Sequence, residues 1–277
     1  MDFKSPAITS TLAYGSEKDT SNGDTSTLLA QIPSSISISY QSSWSKLLCS
    51  SVKGLKLTPG PTSINQTPFK VSLPGGFSGS IVLDHAQHST TPLARAIPGD
   101  RRSYELLLPG TTAAESLRRR PRKCVWWFAA PTARNGELEV FEWRRSHGNE
   151  VKQLGGSRWG WKLVRVGRAA RDELPQGKES LDASELSDDG SLAEYEKGRA
   201  EASTTDGKEV VAVWARTGLW TSLHDVGEFQ LLGSGASGEL GDRWAVMALM
   251  SILCIWQKAM RDQSAAAASS STTVVVS

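Results

Sequence analysis

Cysteine is scarce in this chain and scattered. Only three occur in 277 residues, at Cys49, Cys124 and Cys254. They are odd in number, far apart, and form no CxxC or Cys/His spacing, so neither a disulfide framework nor a structural zinc site is written in the sequence. Buried, reduced thiols in a reducing compartment are expected. Long apolar runs are also missing: no stretch reaches the roughly 20 residues needed to span a bilayer. The opening MDFKSPAITSTLAYG lacks the basic and apolar regions of a secretory leader. The expected location is therefore the cytoplasm, or the nucleus in view of a basic run described below. GxSxG, HExxH and P-loop motifs are absent. Apolar residues make up only 39%, and the deficit sits in Ser/Thr-rich and charged regions. The expected organisation is a disordered tail over 1–33 and a single domain over 34–262. Within that domain lies a disordered acidic insertion at 168–207, and a disordered low-complexity tail follows over 263–277.

What is present is uneven. Of ten tryptophans, only Trp44 precedes Trp126. Large aromatics dominate core burial, so most of the core should come from the C-terminal half. The net charge of +2 conceals an acidic stretch: Arg171–Glu209 holds 12 acidic and 5 basic residues, a net of −7.

The chain is organised around Asp242–Met260, DRWAVMALMSILCIWQKAM. Between Trp244 and Trp256 only Ser251 is polar, so the run is apolar on every side and is not a surface helix. Asp242 is placed to cap it, and Lys258 and Arg261 to close its C-terminal turn. Before it come about ten short strand-like segments. Ile36, Ile38 and Tyr40 alternate with serines. Leu47 to Leu57 fits a helix or a strand. Phe69–Leu73 and Gly79–Asp84 read as a hairpin across Pro74-Gly75-Gly76. Leu93–Ile97, Tyr104–Leu108 and the compact Cys124–Ala130 follow. Glu137–Arg145 is out of phase after Val140, which implies two buried faces or a bulge. Val151–Leu154 is expected to begin the return strand. In Arg158–Val166, Trp159, Trp161 and Leu163 share one face, and Gly160 implies a close backbone approach. Lys208–Ala215, Gly218–Leu223 and Val226–Leu232 complete the set. The strands do not alternate with helices, so a parallel α/β sheet is excluded. The expected fold class is mainly β: an antiparallel β-barrel of about ten to twelve strands around the central C-terminal hydrophobic helix.

This pattern, with GKEVVAVWA, VGEFQLLGSG and GDRWAVMALMSILCIWQKA, resembles the tubby C-terminal-like superfamily. That group includes the tubby proteins, the LURP-one-related proteins and the phospholipid scramblases. FEWRRSHGNEV and LGGSRWGWKLVR are similar to stretches of uncharacterised filamentous-fungal proteins. The resemblance implies a β-barrel around a central helix and an association with phospholipid. It assigns no lipid- or calcium-binding residue to a numbered position.

Read from the residues themselves, the sharpest candidate is Arg118, Arg119, Arg120, Arg122 and Lys123, with Arg101 and Arg102 nearby. The run fits a nuclear localisation patch, a phosphate site or an anionic membrane contact. It also fits a solvated loop that shields the Trp-rich strand after it. Nucleic acid is disfavoured, because no aromatic–basic stacking platform lies nearby. His85 and His88, beside Asp84, carry the enzymatic alternative: a hydrolase or small-molecule enzyme working in a barrel-mouth cleft. His147 and His224 read as solvated, and no metal or cofactor is implied. Gly233–Gly238 matches GxGxxG, but no further sheet follows it, so it reads as a flexible linker. Asn65-Gln66-Thr67 is a glycosylation sequon with meaning only on secretion. Trp159 and Trp161 read as core rather than as a stacking face. The function expected is a non-enzymatic intracellular binding domain that contacts anionic phospholipid or a protein partner. A further option is an interaction module that docks through the acidic insertion.

Overall fold

The computed structural model describes residues 32–41, 54–61, 68–86, 91–100, 102–108, 111, 113–120, 124–133, 136–155, 160–168, 204, 206–216 and 225–270. Twelve strands run through them: β1 (Ser35–Tyr40), β2 (Gly54–Pro59), β3 (Phe69–Ser72), β4 (Ile81–His85), β5 (Ala94–Pro98), β6 (Ser103–Leu107), β7 (Glu115–Arg120), β8 (Val125–Pro131), β9 (Leu138–Ser146), β10 (Gly160–Arg168), β11 (Val210–Ala215) and β12 (Asp225–Leu231). The helices are α1 (Asn149–Lys152), α2 (Gly233–Ala236) and the long α3 (Asp242–Ser270), and Gly76–Ser78 forms a 3-10 turn between β3 and β4.

Every strand pairs antiparallel with its neighbours in sequence, and β1 also pairs with β12, so the sheet closes on itself. Twelve strands suit what lies inside. Eight enclose only side chains and sixteen leave a channel, whereas an α-helix is about 10 Å across. From Trp244 to Trp256 every residue of α3 is buried. Inward side chains around the wall complete one core, among them Ile36, Leu57, Leu83, Tyr104, Phe128 and Phe229. The helix meets β4, β5, β6 and β8 of the wall.

Two polar residues of α3 are fitted to the wall. Ser251 Oγ accepts the Trp143 Nε1–H at 2.7 Å and donates to the Ala248 carbonyl at 2.8 Å. Gln257 Nε2 donates to the carbonyls of Gly76 and Gly79, and its Oε1 accepts the Tyr104 hydroxyl at 3.3 Å. Gln257 thereby ties the helix to the β3–β4 turn and to β6. Glycine is required where backbones crowd. A Cβ at Gly160 would lie 2.4 Å from Val151 and 2.5 Å from the Trp214 carbonyl. One at Gly235 would lie 2.4 Å from the Val211 carbonyl and 2.8 Å from the Trp244 ring.

Several expectations change. The domain begins earlier, because Ile32 and Pro33 are buried. The expected tail at 263–277 is helical as far as Ser270, so Lys258 and Arg261 lie within α3, not at its end. Asp242 opens the helix within its first turn. The linker at 233–241 is packed: α2 forms one helical turn, and Ser234 bonds Glu209 through its N–H at 2.6 Å and its hydroxyl at 2.9 Å. The expected insertion loses its edges, since Arg168 ends β10 and residues 204 and 206–207 lead into β11. Val151 belongs to α1, not to a return strand. Val140 and Phe141 are buried on opposite faces of β9, and the bulge lies opposite them, between Arg165 and Gly167 of β10. The strand expected at 218–223, the tail at 1–31, residues 169–203 of the insertion, Trp44, Cys49, Asn65, Trp159 and residues 271–277 lie outside the described residues.

Leu249 is fully buried, so Leu249→Asp places an unpaired carboxylate in the barrel at a cost of several kcal/mol. It should abolish the folded state, read as loss of near-UV circular dichroism and of a cooperative melt. Ser251→Ala orphans the Trp143 N–H and should cost about 1–3 kcal/mol in denaturant titration.

Candidate basic surface

The barrel has two unlike ends. At the entry end, α3 begins beside the start of β7, where Arg243 Nη2 meets Glu115 Oε1 at 2.5 Å. The bulge in β10 brings Arg165 under α2, where it meets Glu139 at 2.6 Å, Glu239 at 3.2 Å and Glu209 at 3.7 Å. This cluster joins β9, β10, the approach to β11 and the segment leading into α3. At the exit end, Trp256 packs against Tyr40 and Phe77, with ring centroids 6.2 and 5.7 Å apart.

The basic run lies at the exit end and is not a loop. Arg118, Arg119 and Arg120 close β7, paired in register with Trp127, Trp126 and Val125. Strand alternation therefore divides them. Leu117 points into the core, so Arg118 and Arg120 face outward. Arg119 points to the inner rim, where its Nη2 donates to the Cys124 Sγ at 3.5 Å. Cys254 is buried as expected, but Cys124 is exposed, because it sits at the rim just before β8. The Arg119 backbone N–H bonds the Arg102 carbonyl at 2.8 Å, which sets Arg102 beside this edge. Arg102 and Arg118 both act on Asp100. Its carboxyl is held below the usual range by the Ser103 hydroxyl first, then by the Arg102 amide and the two guanidinium charges. Arg101, Arg122 and Lys123 lie outside the described residues.

Arg120 is engaged in the wall. Its guanidinium lies over the Trp127 ring, 5.6 Å from the centroid, and 3.6 Å from Glu142. Glu142 continues to Arg144 at 2.8 Å, and Arg144 to Asp206 at 3.0 Å. An ion-pair row thus crosses the outside of β7, β8 and β9 and fixes the residues that lead into β11. The sequence carried one sign of the strand: Leu117 alternates with Ser116 and Arg118. The charges and Pro121 obscured it.

Of the residues in the histidine alternative, only Asp84 and His85 lie among the described residues. His85 lies opposite Phe69 in register and stacks on it, with centroids 5.3 Å apart. Asp84, its neighbour along β4, falls on the other face, and His88 lies outside the described residues. Among the described residues, no group of three or more His, Cys, Asp or Glu is arranged to hold a metal ion. Trp161 packs against the core, as expected, with the Arg145 guanidinium 5.5 Å from its ring centroid. No helix among the described residues is long and apolar enough to cross a membrane. No protein-family model, curated protein or solved structure matches the chain.

Burial alone would raise the Asp206 carboxyl. The Thr204 hydroxyl and the Arg144 guanidinium outweigh it and bring the group down to about 2, from an ordinary 3.8. A depressed carboxylate stabilises the fold above its unfolded value and loses that contribution as pH falls through its folded one. Asp206→Asn should therefore melt below the wild type at pH 5, and the gap should close between pH 3.8 and about 2.

Proposed function

We propose that this chain is a non-enzymatic binding domain of the tubby C-terminal-like type, and that it docks on an anionic phospholipid surface. The contact is the basic edge formed by the start of β6 and the end of β7. The observation that carries it is the convergence of Arg102, Arg118 and Arg119 on one edge of the exit end, from two strands joined by a backbone hydrogen bond. The closed barrel around a hydrophobic C-terminal helix supports the superfamily assignment. Each arginine near an anionic leaflet contributes about 1 kcal/mol. The contact is screened by salt.

Vesicle co-sedimentation tests this directly. The full chain should pellet with phosphatidylcholine vesicles containing phosphatidylserine or a phosphoinositide, and not with phosphatidylcholine alone. Replacing Arg102, Arg118 and Arg119 together by Ala should weaken binding roughly a hundredfold, from about 1 kcal/mol at each position. The melting temperature should hold. Arg120→Ala should instead lower the melting temperature, because Arg120 is tied to Glu142 and Trp127. Absence of binding, or binding indifferent to the triple replacement, would sink the lipid role.

A further inference from the structure

We infer that the outward face of β8 is the apolar half of this contact, with Trp127 as its anchor; the inference rests on the lipid-binding reading above. Trp126, Phe128 and Ala130 of β8 fill the core. Alternation then turns Val125, Trp127, Ala129 and Pro131 outward. An antiparallel strand with one face in the core normally shows polar side chains to water on the other, yet this outward row is apolar throughout. Pairing of Pro131 with Leu138 extends it onto β9. The other strand that is apolar on both faces, β11, is covered: α1 packs against it and Val213 is fully buried. On β8, Trp127, Ala129 and Pro131 are only half-buried.

The row is flanked by charge: Glu142, paired with Arg120 and Arg144, is the register partner of Trp127 on β9, and the cations lie on the β7 side. Arg118 is the register partner of Trp127, and the Arg120 guanidinium lies over the ring. An amphipathic indole between two arginines suits the headgroup level of an anionic bilayer, where ring and cation both find partners. Single-stranded nucleic acid fits less well, because it needs a bare ring face for base stacking and Arg120 occupies one. The row starts at the basic edge of the exit end, beside Arg120 and Arg118, and runs from there along the barrel flank, while residues 262–266 of α3 project exposed. Docking is therefore side-on, with Trp127 entering the interface and Arg118 beside it at the phosphates.

The test uses the full chain and phosphatidylcholine–phosphatidylserine vesicles, with and without brominated acyl chains. Brominated lipid should quench the tryptophan emission of the bound wild type. Trp127→Phe keeps an aromatic ring under Arg120, so it should bind within about twofold while most of the quenching disappears, since each 1.4 kcal/mol is tenfold. Trp127→Ser should weaken binding about fivefold or more on the same scale and leave the salt dependence unchanged. If Trp127→Phe is quenched as strongly as the wild type, the anchor is overturned and the lipid reading stands. If the wild type binds no vesicle, both fall. If it binds single-stranded oligonucleotide through Trp127 and not vesicles, the face is a nucleic-acid surface and the inference is overturned.

Discussion

A helix that is apolar on every side and a twelve-strand barrel each lack what the other supplies. Alone, the segment from Trp244 to Trp256 would expose apolar surface all round. Without it, the barrel would hold a space too wide for its own side chains to fill. Burial of α3 therefore couples every strand to one element, and the wall is tailored to it. Trp143 places its only polar atom against Ser251, the only polar residue in the apolar run. Gln257 satisfies both ends of its amide where the helix leaves the barrel. Trp244 Nε1 and Arg243 Nε find no hydrogen-bond partner among the described residues, so the start of the helix is held by packing and by the Arg243–Glu115 pair.

Closure also determines how charge is distributed. Antiparallel hairpins bring alternate turns to opposite ends, so residues distant in sequence share a rim. The entry end gathers Glu139, Glu209 and Glu239 around Arg165. The exit end gathers Arg102, Arg118 and Arg119. On the outside, the row from Arg120 through Glu142 and Arg144 to Asp206 ties the chain before β11 to strands laid down much earlier. The arginines of the exit-end edge thus lie beside the apolar outer row of β8.

Much of the fold was legible because period-two alternation and turn residues mark strands locally. Ile36 and Ile38, the hairpin at Pro74–Gly76 and the doubly apolar Val210–Ala215 announce themselves. The strand ending in Arg118–Arg120 did not, because a run of like charge resembles a solvated loop and only Leu117 marks the core face. The glycine-rich stretch before α3 looked flexible for a similar reason. Its order comes from Glu209 and from the Trp244 ring against Gly235, partners that composition does not reveal. Of the candidate site, the residue types were legible but their directions were not. Asp84 and His85 show the same point, since neighbours along a strand face opposite ways.

By itself, the sequence determined that α3 must be enclosed and that strands must enclose it, because hydrophobicity around a helix is a local property of consecutive residues. It also determined that charge of one sign would collect near Arg118. Only the tertiary structure decided the strand number, the closure of β1 on β12, and which arginines face water, which face the rim and which are held by Glu142. Those depend on register, and one residue of register turns every side chain of a strand to the other face. Local composition constrains register weakly, whereas a filled and closed barrel admits only the register that places each apolar row against the helix.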